Sequence, residues 1–128
     1  QLGVVIMAVI EGKIAFENMD KHELYNGLST EKYSVVISVD DETATKLTDM
    51  GIKMREYEGV KQRKFTTKFE NTPVLNPDGS TFSGRMGRGS TVRLLWAEGP
   101  AHPVHGVATY LNKIKVLEVA EQEGGEDF

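Results

Sequence analysis

Between Lys53 and Phe69 stand six cations, Lys53, Arg55, Lys61, Arg63, Lys64 and Lys68, against only Glu56 and Glu58, with Tyr57, Phe65 and Phe69 interleaved. Cations spaced along a strand neutralise phosphates, and flat rings stack on unpaired bases, so this mixture suits a single-stranded nucleic-acid track. Arg55, Tyr57, Lys61, Arg63, Lys64, Phe65 and Lys68 are the candidate contacts. Strand alternation sets Arg63, Phe65 and Thr67 on one face and Lys64, Thr66 and Lys68 on the other. The competing assignment puts Phe65 and Phe69 in the core and leaves the lysines on a solvated face.

A glycine-rich stretch, Gly84-Arg-Met-Gly-Arg-Gly-Ser90, invites comparison with phosphate-binding loops. A Walker loop needs Lys directly before Ser or Thr and a helix after it, whereas Gly89 holds the Lys position and a strand pattern follows. A nucleotide site is therefore rejected. Arg85 and Arg88 on a flexible loop could still clamp a nucleic-acid backbone, helped by Ser90; a plain mobile connector is the alternative. His102 and His105 have ligand-like spacing, but the only other histidine is His22 and there is no cysteine, so no metal and no cofactor are expected. No Ser, His and Asp arrangement has a recognisable signature, and nothing points to catalysis.

The C-terminal segment carries the net charge. Its acids are Glu121, Glu123, Glu126 and Asp127; 19 acids less these four leaves 15, matching the 15 bases, so the formal −4 belongs to the tail. With Gly124-Gly125 and no apolar periodicity, this segment cannot bury enough surface to order itself and is expected to be flexible. Phe128 beside a terminal carboxylate suits capture by an apolar pocket flanked by bases. The plainer reading is a solubilising end.

These residues need a scaffold. A chain of 128 residues with 39% hydrophobic and 27% charged residues is one ordinary globular domain, expected over 1–118 with the tail at 119–128. The absence of cysteine excludes a disulfide framework. The longest apolar run, Val4–Ile10, is far short of the ~20 residues of a membrane helix, so no membrane association is expected.

Gly3–Asn18 reads as one long bent strand or two short ones, with Gly12 at the bulge or turn. Asn26-Gly27 is a turn signal, and Lys32–Val39 a largely buried strand. Asp40-Asp41-Glu42 caps a short helix over Asp41–Met50, with Ala44, Leu47 and Met50 on one face and Gly51 as its stop. Met54–Glu58, Val60–Glu70, Thr91–Ala97 and His102–Leu117 complete the strands, and Asn76-Pro77-Asp78-Gly79 marks a loop. The pattern is mainly β: a small five-stranded OB-fold-like barrel with one helix after the third strand. A helix-decorated β-sandwich is the alternative.

Three stretches resemble the single-stranded DNA-binding proteins of tailed phages, the podovirus-type OB-fold group. They are Glu11–Asn18 followed by Glu31–Val39 and the acidic-capped helix; Gly106–Glu118, similar to that group's final barrel strand; and the terminus Glu126-Asp127-Phe128. The resemblance implies a non-enzymatic protein that coats single-stranded DNA during phage replication and recombination, in the cytoplasm of the infected host cell. It also implies a tail that competes with DNA and contacts the replication polymerase and helicase–primase through Glu121, Glu123, Glu126, Asp127 and Phe128. A homo-oligomer is compatible with it. Some relatives carry zinc; lacking cysteine, this chain departs from them. The alternative from a different class is a non-catalytic β-barrel interaction module with a solubilising tail.

Overall fold

Tyr33–Val39 is a β-branched run and, as its composition predicts, is paired on both edges inside the sheet. The computed structural model describes residues 7–19, 24–29, 32–69, 71–84, 86–104 and 106–120. In chain order its elements are β1 (Met7–Asn18), β2 (Leu24–Tyr25), β3 (Leu28–Ser29), β4 (Tyr33–Val39), α1 (Asp41–Asp49), β5 (Arg55–Tyr57), β6 (Val60–Thr67), β7 (Val74–Leu75), β8 (Thr91–His102) and β9 (Gly106–Glu118). The large sheet runs β5-β6-β4-β1-β8-β9-β7, and a parallel bridge between Thr66 of β6 and Tyr110 of β9 joins its two sides. Strands β1, β4, β6, β9 and β8 thereby close the expected five-stranded barrel.

The first strand is the long bent one. Met7–Lys13 pair with β8, and from Lys13 to Asn18 the strand pairs with β4. The change of partner happens where a side chain has no room: a Cβ on Gly12 would stand 2.5 Å from the Ser38 carbonyl oxygen. The register then shifts between Ile14 and Phe16, a bulge that re-aims everything after it. Asn26-Gly27 turns the β2–β3 hairpin with φ of 54° and 79°, the left-handed pair its sequence favours.

Helix α1 begins where the acids predict. The Asp40 side chain accepts a 2.8 Å bond from the Thr43 N–H, satisfying one of the free donors of the first turn. Ala44 and Leu47 are buried, whereas Met50 is exposed because the helix has already ended at Asp49. Ile52, just beyond, fills the position expected of Met50 and is buried. These three join Ile10, Ile14, Val35, Ile37, Phe65, Leu94, Trp96, Leu111, Ile114 and Val116 in one core.

Strand β8 runs five residues past its expected end at Ala97. The Gly99-Pro100 pair lies in a bulge where the β8–β9 register shifts between Glu98 and Ala101. At a bulge the missing proline N–H breaks no ladder bond, so the strand continues through it. Among the described residues no helix is long and apolar enough to cross a membrane.

Candidate nucleic-acid interface

Because paired residues in a ladder share a face, the register fixes which side chains leave the barrel together. One outward row joins Phe16 of β1, Val36 of β4 and Lys64 of β6. The next joins Lys13, Ser38, Gln62 and Arg55, and Gln62 Nε2 donates to Ser38 Oγ along it. Tyr57 pairs with Val60 at one end. At the other, Thr66 pairs with Tyr110, beside Lys68 and Phe69 where β6 finishes.

Four aromatic rings on this surface face water: Phe16 is 59% exposed, Tyr57 47%, Tyr110 45% and Phe69 75%. Lys13, Arg55, Lys64 and Lys68 are exposed among them. The Arg55 guanidinium lies 5.7 Å from the centre of the Tyr57 ring, within reach of a cation–π contact. Rings spaced among cations on an open sheet face meet both needs of a flexible polyanion with unpaired bases: neutralised phosphates and surfaces to stack on.

The predicted contacts divide. Arg55, Tyr57, Lys64 and Lys68 lie on this surface. Phe65 does not: it has no exposed area and meets Trp96 inside the barrel, so its place as a stacking residue is corrected to core. It shares the inward parity of Thr67, and an interior ring is unreachable by a base.

Arg63 is also corrected. Its Nε donates to Thr109 Oγ1 at 2.9 Å, Nη1 to the Lys53 carbonyl at 2.9 Å and Nη2 to the Val107 carbonyl at 3.0 Å. Half-buried, with burial pushing its pKa down, it ties β6 to the start of β9 and to the segment before β5. Lys61 lies on the opposite side of β6 from Lys64 and pairs with Glu56 at 2.7 Å. That pair raises the lysine pKa and lowers the glutamate pKa, chiefly through the hydrogen bond itself.

Residues 86–90 of the glycine-rich stretch are pinned, which corrects their reading as a mobile connector. Glu17, buried on β1, accepts from the N–H groups of Met86 at 2.9 Å and Gly87 at 3.2 Å. Gly89 N–H donates to the Ile14 carbonyl at 2.7 Å, and Ile14 N–H returns a 2.9 Å bond to Ser90. Ser90, assigned to a backbone clamp, is buried; its hydroxyl donates to the Met86 carbonyl and accepts from Ala120 N–H. Arg88 is exposed on this loop. Arg85, His22 and His105 lie outside the described residues, as do Glu121, Glu123, Glu126, Asp127 and Phe128. Among the described residues no group of three or more His, Asp or Glu could hold a metal.

Phe16 and Tyr110 escaped the sequence reading for a physical reason, and Lys13 because it lies outside the 53–69 segment. The bulge after Ile14 reverses the expected parity of Phe16. In Ala108-Thr-Tyr-Leu111, alternation allows either Thr109 or Tyr110 inside, and hydrophobicity favours the wrong one. Thr109 is buried because its hydroxyl donates to the Lys64 carbonyl at 2.8 Å and accepts from Arg63.

A closed five-stranded barrel with a parallel closing bridge and a decorated outer face defines an OB-type fold. No family model and no curated protein sequence matches the chain. Solved structures do. The single-stranded DNA-binding protein gp2.5 of bacteriophage T7 superposes with a TM-score of 0.66 at 15% identity, covering 97% of this chain and 92% of that one. The single-stranded DNA-binding protein of bacteriophage Enc34, in complex with single-stranded DNA, gives 0.71 at 10% identity over 92% and 89%. The same phage protein lacking its C-terminus gives 0.69 at 10% identity over 90% and 87%. At these identities the likeness is one of fold, and the fold is the one the sequence resemblance implied.

Proposed function

We propose that this protein is a sequence-tolerant, non-catalytic single-stranded DNA-binding protein. The observation that carries the reading is the outward placement of Phe16, Tyr57, Phe69 and Tyr110 among Lys13, Arg55, Lys64 and Lys68 on one barrel surface. Similarity to a barrel solved with single-stranded DNA supports it. Stacking is worth ~1–3 kcal/mol per base and does not depend on base identity, since every base has a π-face. The finer role is coating single strands in phage replication and recombination within the infected host cell. In that role the acidic tail competes with DNA and recruits the polymerase and helicase–primase; the concentration of acid at Glu121–Asp127 supports this part.

Fluorescence anisotropy of a labelled oligo-dT of about 30 nucleotides, at low and moderate salt with excess duplex present, tests the proposal. Tight, salt-sensitive binding that duplex does not compete away is the expected result. A folded protein that fails to bind at low salt would leave the alternative, a protein-interaction barrel, in its place.

A further inference from the structure

Beyond the single bridge at Thr66 and Tyr110, β6 and β9 part company, and a cleft of about 550 Å³ opens between them. Lys32, Thr66, Lys68, Phe69, Glu98 and Tyr110 stand around it. The Tyr110 ring leans onto neighbouring β8 at Gly99. A Cβ built at Gly99 would fall 2.4 Å from Tyr110 Cε2 and 2.7 Å from Cζ, so the ring occupies space that only a glycine leaves open. A ring seated on bare backbone has lost its freedom on that side, yet Tyr110 keeps 45% of its surface exposed.

We propose that this cleft is a pocket for one unpaired nucleobase, with Tyr110 as the stacking plate and Gly99 as the positioning residue that holds the plate. The inference rests on the single-stranded DNA reading above and deepens it. A held ring loses little rotamer entropy when a base stacks on it, so more of the stacking energy appears as affinity. Phe69, on the cleft rim, supplies a second apolar surface. Charge sets the orientation: Glu98 in the wall repels a phosphate, while Lys32 and Lys68, both next to the Tyr33–Thr67 pair, attract the backbone on their side of the cleft. The base therefore enters and the backbone stays outside.

The test uses the full chain and an oligo-dT carrying 5-iodouracil. Irradiation of the unaltered protein–DNA complex, followed by peptide mass spectrometry, is expected to place a cross-link on Tyr110 or Phe69. Cross-links confined to Phe16 and Tyr57 would overturn the pocket. In anisotropy titrations, Tyr110→Ala should weaken binding about 5- to 150-fold, the loss of one stacked base, while Tyr110→Phe binds like the parent. Gly99→Ala should also weaken binding but add nothing in the Tyr110→Ala background, because it acts through the ring. An equal loss in both backgrounds would overturn the role of Gly99. Full affinity in Tyr110→Ala, with the parent binding tightly, would overturn the pocket alone; a parent protein that binds no single strand would overturn the parent reading as well.

Discussion

Phe65 meets the edge of Trp96 inside the barrel, with ring centroids 5.4 Å apart and planes at 69°. Both rings are buried, and the indole Nε1 has no hydrogen-bond partner among the described residues; shape and dispersion decide this contact. Phe65→Ala should cost about 3–5 kcal/mol of stability. Denaturant unfolding followed by Trp96 fluorescence measures it. A loss below about 1 kcal/mol would mean that Phe65 is not the core ring described here.

Glu17 holds the 86–90 loop through its two backbone bonds. Replacing it with alanine leaves the buried Met86 N–H without its acceptor, a cost of about 1–3 kcal/mol. Glu17→Gln keeps an acceptor oxygen and should lose less. Amide exchange at Met86 and Gly87 is the local readout, and protection unchanged in Glu17→Ala would remove the carboxylate from this role.

The surface cations should register in the salt dependence. Each phosphate contact on a single strand contributes about −0.7 to the slope of log K against log salt. Lys64→Gln, Arg55→Gln and Lys13→Gln are each expected to flatten the slope by roughly that amount. Arg63→Gln should instead lower the unfolding midpoint and leave the slope unchanged, because its guanidinium is bonded to Thr109 and two carbonyls.

Helix α1 gives a pH signature. The bonds from Thr43 hold the Asp40 carboxyl below its usual range. A lowered folded-state pKa means that the stabilisation is present above the unfolded value and is lost as pH falls through the folded one. Thermal melts should therefore show Tm declining from about pH 4 downward. Asp40→Asn keeps a capping oxygen and should blunt this decline, whereas Asp40→Ala should lower Tm at neutral pH as well.

Truncation after Ala120 tests the tail while sparing the Ala120–Ser90 contact. Loss of four carboxylates should tighten single-strand binding, most at low salt where their field is least screened. Equal affinity with and without residues 121–128 would deny the tail any competition with DNA.

Much of this architecture was legible in the residues themselves. Local signals sufficed for α1, where Asp40 caps and the acids fill the first turn, and for the Asn26-Gly27 turn. The β-branched run at 33–39 announced a buried strand, and the strand inventory pointed to the OB-type barrel. Arg55, Tyr57, Lys64 and Lys68, proposed as contacts from charge and aromatic spacing, stand exposed on one barrel surface. Which face a residue takes was another matter, because strand parity is set by registers and bulges that form between distant segments. The bulge after Ile14 turned Phe16 outward, the Thr109 bonds turned Tyr110 outward, and closure of the barrel drew Phe65 onto Trp96. Composition thus specified the kinds of side chain available, and only the closed barrel decided which rings and cations share an outward surface.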